Sequence, residues 1–134
     1  MQSNLDTIRA LHSSDAGRLT WDDLVALLAA DVEWWVAGPE ERFPWAGTFR
    51  GPDGVRRWSE ALDEHLEYTQ FELVDAWEDG STVIELVQAA GTARATGRAF
   101  ASEVVRLWRF AGGRVVSVRS HYDTANYLRA TGAE

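Results

Sequence analysis

Apolar positions along this chain follow two periods, first of three to four residues and then of two. Leu5, Ile8 and Leu11 recur at helical spacing with His12 on the inner edge, which predicts a first helix ending near Asp15-Ala16-Gly17. Thr20 followed by Asp23 has the form of a capping box, and Trp21, Leu24, Val25, Leu27 and Leu28 then make a wide apolar face that predicts a second helix stopping near Asp31. Val32 to Val36 reads as a short strand with Trp34 and Trp35 on opposite faces, ended by Gly38-Pro39. Pro44, Gly47, Gly51 and Pro52 punctuate the next stretch, an aromatic loop carrying Phe43, Trp45 and Phe49 that is expected to fold over the interior. Pro52 suits the first turn of a third helix, with Val55, Trp58, Leu62 and Leu66 on one side, Asp63, Glu64 and Glu67 on the other, and His65 at the border.

From Tyr68 onward the period is that of strands. Tyr68 to Trp77, the Asp79-Gly80 hairpin signal, Thr82 to Arg94, a turn at Ala95 to Gly97, and strands at about Arg98 to Phe110 and Arg114 to Tyr122 complete a bent antiparallel sheet. Thr124 to Ala130 adds a short terminal helix. Helices come first and the sheet later, so the expected class is α+β, with three helices on the concave side of a curved sheet. Such a cone holds a cavity wherever side chains fail to fill it.

Arg106 is the residue that most changes this picture, because it interrupts an apolar stripe of the hairpin around Gly112-Gly113, and a buried charge needs a partner or a ligand. Two registers are open. A two-residue turn sets Phe110 opposite Val115 and groups Arg106 with Ser117, Arg119, His121 and Asp123 on a polar face. A three-residue loop sets Phe110 opposite Val116, Trp108 opposite Val118, Arg106 opposite Ser120 and Val104 opposite Tyr122, which is a mostly apolar pocket wall. The second is preferred, since it collects aromatic and β-branched residues on one side.

Composition narrows the setting. The 134 residues fit one domain, with a core over about residues 5–128, and 46% hydrophobic residues with seven tryptophans exclude general disorder. A net charge of −8, with 13 basic residues scattered among acids, argues against nucleic acid. No cysteine is present, which removes disulfides, thiolate metal sites and cysteine nucleophiles. Neither a signal-peptide core nor a bilayer-length apolar run occurs, so a soluble cytoplasmic protein without membrane partners is expected. Three isolated histidines without an acidic cluster give no metal site.

Ala30-Asp31-Val32-Glu33-Trp34, Phe49 to Val55, Phe110 to Val115 and His121-Tyr122-Asp123-Thr124, in this order of elements, resemble the SnoaL-like proteins of the nuclear transport factor 2-like superfamily. The resemblance runs from about Leu5 to Leu128. It implies a cystatin-like cone and commonly a homodimer through the outer sheet face, here Val105, Leu107 and Val115. It also implies an apolar cavity used without a cofactor by isomerases, polyketide cyclases, dehydratases and epoxide hydrolases, and by proteins with no chemistry at all. Several family positions depart from pattern: Trp35, Val36 and Ala37 stand where ketosteroid isomerase has its general-base aspartate, Arg106 and His12 fall near its oxyanion donors, and Trp108 and Val104 stand where epoxide hydrolases pair an aspartate with arginine.

The candidates for acid/base chemistry are Arg106, His12, Tyr122 and Asp123. Inside a cavity Arg106 would orient a carboxylate, carbonyl or developing oxyanion, and the structural alternative pairs it with Glu103, Glu85 or Asp123. His12 can serve as acid, base or donor, or simply pack at its helix edge. Tyr122 and Ser120 would flank Arg106, while Asp123 is better placed to cap the terminal helix than to act as a base. Trp34, Trp45, Trp58, Trp108 and Val104 are expected to line the pocket, Gln88 to add a polar cavity group, and Glu85 to face a dimer partner or solvent. The expected occupant is a small apolar oxygenated molecule of polyketide, terpenoid or steroid type.

Overall fold

The computed structural model describes residues 3–12 and 21–132; the expected helix end at Asp15 to Gly17 and the capping Thr20 lie outside the described residues. Helix α1 (Asn4–Leu11) opens on Ser3, whose side chain accepts the Asp6 N–H, and buries Ile8 and Leu11. Helix α2 (Trp21–Val25) is shorter than its apolar face suggested, because Leu28 already belongs to strand β1 (Leu28–Val36). The sheet takes these residues: Val115 N–H donates to the Leu27 carbonyl at 2.7 Å and Leu28 lies beside Val115 in a parallel ladder. Tertiary hydrogen bonding overrides the helical spacing here. The aromatic loop closes with Phe43 and Trp45 stacked at 4.5 Å and fully inside, and its end forms strand β2 (Gly47–Arg50), antiparallel to β1 with Phe49 opposite Trp34.

Helix α3 (Gly51–His65) starts with proline in its first turn and ends one residue before Leu66, which is extended and begins strand β3 (Leu66–Asp79). Strands β4 (Thr82–Ala93), β5 (Ala99–Ala111) and β6 (Arg114–Tyr122) follow, and helix α4 (Thr124–Thr131) is capped by Asp123. The six strands form one curved, unclosed sheet in the order β2-β1-β6-β5-β4-β3, with β1 and β6 parallel and the other pairs antiparallel. Gly91 marks the place where β4 comes closest to β3: a Cβ there would lie 2.2 Å from the Glu67 carbonyl oxygen.

The β5–β6 hairpin resolves the two registers by using both in turn. Gly112 and Gly113, at φ +58° and +79°, make a two-residue turn that pairs Ala111 with Arg114 and Phe110 with Val115. Val116 is then bulged out, Arg109 meets Ser117, and from there Trp108 faces Val118, Arg106 faces Ser120 and Val104 faces Tyr122. The expected Phe110–Val116 pair is therefore corrected to Phe110–Val115, and Val115 is wholly buried in the core instead of on the outer face.

Inward-facing residues stack in levels across the ladders. Trp108, Val83, Val118 and Trp34 form one level; Glu85, Arg106, Ser120 and Val36 the next; Val87, Val104 and Tyr122 the one beyond. Trp34 packs at 4.6 Å on Trp58 of α3 and stands edge-on to Trp108 at 5.6 Å, an aromatic floor for the interior.

Candidate functional site

Arg106 is 3% exposed and sits directly opposite Glu85, which is completely buried. Its Nε donates to Glu85 Oε1, the Trp108 indole donates to the same oxygen at 3.1 Å, and His12 at the end of α1 donates from Nε2 to Oε2. Burial alone would push the Glu85 carboxyl up, but the Arg106 charge and the hydrogen bonds from His12 and Arg106 outweigh it and hold it down at about 2. The carboxylate is therefore ionised and saturated with donors. The arginine is not: its Nη2 is buried without a hydrogen-bond partner, and so is His12 Nδ1.

A cavity of about 50 Å³ adjoins this cluster, walled by Arg106, Ser120, Tyr122, Val104, Val36, Trp45, Trp58, Leu62, Tyr68, Phe71 and Tyr127. The guanidinium lies 5.0 Å over the Phe71 ring. Tyr122 accepts the Trp45 indole N–H at 3.0 Å, and the Tyr68 and Tyr127 hydroxyls bond each other at 3.0 Å. Burial pushes all three phenols up, Tyr68 to about 12. They are neutral hydroxyls at any physiological pH. Trp58 Nε1 has no partner.

The residues singled out from sequence thus divide. Arg106, Ser120, Tyr122, Val104, Trp45 and Trp58 meet on the cavity wall. Trp34 and Trp108 stand behind it as floor, and His12 lies behind Phe71, ring parallel to ring at 6.2 Å. Gln88 points the other way: β4 buries Val83, Glu85, Val87 and Ala89, so Gln88 is on the opposite face, where it donates to the Ser102 carbonyl at 3.4 Å. Asp123 is exposed and its Oδ1 accepts the Asn126 N–H at 3.1 Å, a helix cap outside the cavity. Glu85, expected outside, is the buried partner of Arg106. His121 is exposed and packs at 5.1 Å on Trp35.

Tyr68, Phe71, Leu62, Val36 and Tyr127 are wall residues that the sequence reading did not single out. Glu85 was findable, since it shares parity with Val83 and Val87. Tyr68 and Phe71 were not, because the ladder skips a residue between Tyr68 and Gln70 and so brings two positions three apart to one face. Among the described residues no acidic, histidine or cysteine group could hold a metal ion, and no helix is long and apolar enough to cross a membrane.

Solved structures with this arrangement are numerous. A nuclear transport factor 2-like protein from Burkholderia thailandensis is 30% identical, with 97% of this chain and 98% of that one covered at a TM-score of 0.83. A nuclear transport factor 2-like protein of unknown function from Burkholderia pseudomallei is 28% identical over 98% of both chains, at a TM-score of 0.86. TerC, crystallised with polyporic acid, shares the fold at 18% identity and a TM-score of 0.82, over 96% of this chain and 98% of its own. No curated protein matches. The family model of the SnoaL-like domain matches residues 5–118, and the chain belongs to the SnoaL-like family.

Proposed function

We propose that this protein binds a small apolar molecule bearing a carbonyl-type oxygen in the cone cavity, and that Arg106, with Ser120 or Tyr122, holds that oxygen and stabilises negative charge developing on it. The observation that carries this reading is the unpartnered Nη2 of a buried arginine whose side chain lines an otherwise mostly apolar wall. A cavity of about 50 Å³ is room for a few waters, at roughly 10–15 Å³ each, and a ring the size of benzene needs roughly 150 Å³, so a cyclic ligand enters only as the wall side chains part. The ligand is accordingly at the small end of the polyketide and terpenoid range, and the four fused rings of a steroid would require the largest displacement of the wall. Support from the fold is that TerC, a structural neighbour, was crystallised with polyporic acid.

The chemistry such donors favour is proton transfer beside a carbonyl, giving isomerisation, cyclisation or dehydration without a cofactor. His12 would then move the proton through its unpartnered Nδ1 once the Phe71 ring that separates it from the cavity swings aside. A second reading, a non-catalytic binding protein, is favoured by the absence of any carboxylate among the described residues of the wall: Glu85 is saturated by three donors and Asp123 is spent on a cap. Epoxide hydrolysis is disfavoured, since a carboxyl held at about 2 has no proton to give near neutrality. Cyclohexanone in deuterium oxide, followed by proton NMR, separates the readings. Exchange of the protons beside the carbonyl that falls at least tenfold in Tyr122→Phe or Arg106→Lys supports catalysis; binding without exchange supports the carrier; no binding overturns both.

Pairing with a second copy is proposed for the outer sheet face, where Trp77 and Val74 are 48% and 56% exposed and Trp77 continues in register to Ile84 and Leu107. Leu107→Glu would then give a monomer by light scattering, and a monomeric wild type would refute the pairing.

A further inference from the structure

The polar atoms around the cavity have more protons to give than oxygens to receive them. Arg106 Nη2 and Trp58 Nε1 can only donate, and neither has a partner. The Tyr122 oxygen already accepts from Trp45, so its own proton is what it has left to offer. The Tyr68–Tyr127 pair spends one hydroxyl proton internally and leaves the other. Ser120 can act either way. Among the described residues no side-chain carboxylate, amide or imidazole belongs to the wall. The polar groups also sit at more than one depth: Arg106 and Ser120 share one level of the sheet, and Tyr122 faces inward two residues further along β6, roughly 7 Å by strand rise.

We infer that the cavity selects a compact dicarbonyl, a molecule with oxygen acceptors at both ends and no N–H or O–H of its own. This rests on the binding reading above and names the ligand class for that same site. An acceptor oxygen at each level satisfies Arg106 at one end and the tyrosine hydroxyls at the other. A ligand hydroxyl or amine brings a proton into surroundings that offer few acceptors, and an unpaired polar hydrogen in an apolar pocket costs affinity. The same donor excess that leaves Arg106 Nη2 without a protein acceptor thereby becomes the basis of discrimination.

Cyclohexane-1,4-dione and cyclohexane-1,4-diol have the same skeleton and differ in whether their oxygens carry protons. Titration calorimetry with the full chain is expected to show the dione binding at least tenfold tighter than the diol. Tyr122→Phe and Trp58→Phe, each first shown to be folded by circular dichroism, are expected to weaken the dione several-fold and narrow that ratio. Equal affinity, or a preference for the diol, overturns the inference while leaving the binding reading in place. A dione preference unchanged in both variants also overturns it, since these donors would not be its source. Failure of both molecules to bind overturns the inference together with the reading on which it rests.

Discussion

Glu85 faces Arg106 across the β4–β5 ladder, and each is the other's only counter-charge among the strand residues at that level. Removing one member leaves a buried charge uncompensated, whereas removing both leaves a cavity that apolar side chains can fill. Glu85→Gln should therefore destabilise the fold by about 3–5 kcal/mol. Glu85→Leu combined with Arg106→Met should recover most of that loss in urea unfolding. A double variant as weak as the single one would show that the pair is not the source of the stability.

The direction of the Glu85 shift fixes an acid limit. Its folded carboxyl is held at about 2 against an ordinary 4.5, so its contribution is complete above 4.5 and is lost as pH falls toward 2. The urea midpoint of the wild type should drop across that window, and the drop should be smaller in Glu85→Gln. Parallel curves for the two proteins would count against the pairing.

All three tyrosines of the chain, Tyr68, Tyr122 and Tyr127, are pushed up by burial. A raised phenol stabilises the fold fully below its ordinary value of 10 and ceases to do so as pH rises past the folded value, about 12 for Tyr68. Ultraviolet titration should show almost no phenolate at pH 10, then a steep rise coinciding with loss of the near-ultraviolet circular dichroism signal. Smooth ionisation of any tyrosine around 10 in the folded protein would contradict its burial.

Asp123 caps α4. Asp123→Ala should cost about 0.5–2 kcal/mol of stability through the lost bond to the Asn126 N–H, and cyclohexanone affinity should not change. Loss of binding with stability intact would return Asp123 to the site.

How much of this was legible follows from where the chain keeps its period. The third helix and the four long strands were readable because Val55, Trp58 and Leu62 hold the helical spacing and β4 alternates without a break from Thr82 to Ala93. The start of β1 was not, since Leu27 and Leu28 fit the preceding helical face equally well and only pairing with β6 decides between them. Within the site, Arg106, Ser120, Val104 and Tyr122 follow from one register, and Gln88 and Glu85 were exchanged although parity with Val83 separates them. Bulges at Thr69 and Val116 set the remaining positions, and a bulge shifts every residue beyond it without leaving a mark in the hydrophobic pattern.

The His12 bond to Glu85 has a consequence for how the fold comes apart. An eight-residue helix on its own would fray readily, but α1 cannot lift from the sheet without stripping a donor from a buried anion. The hydrogen-bonded amides of its second half should therefore exchange with solvent at the rate of whole-molecule opening, as though this short N-terminal segment belonged to the last structure lost.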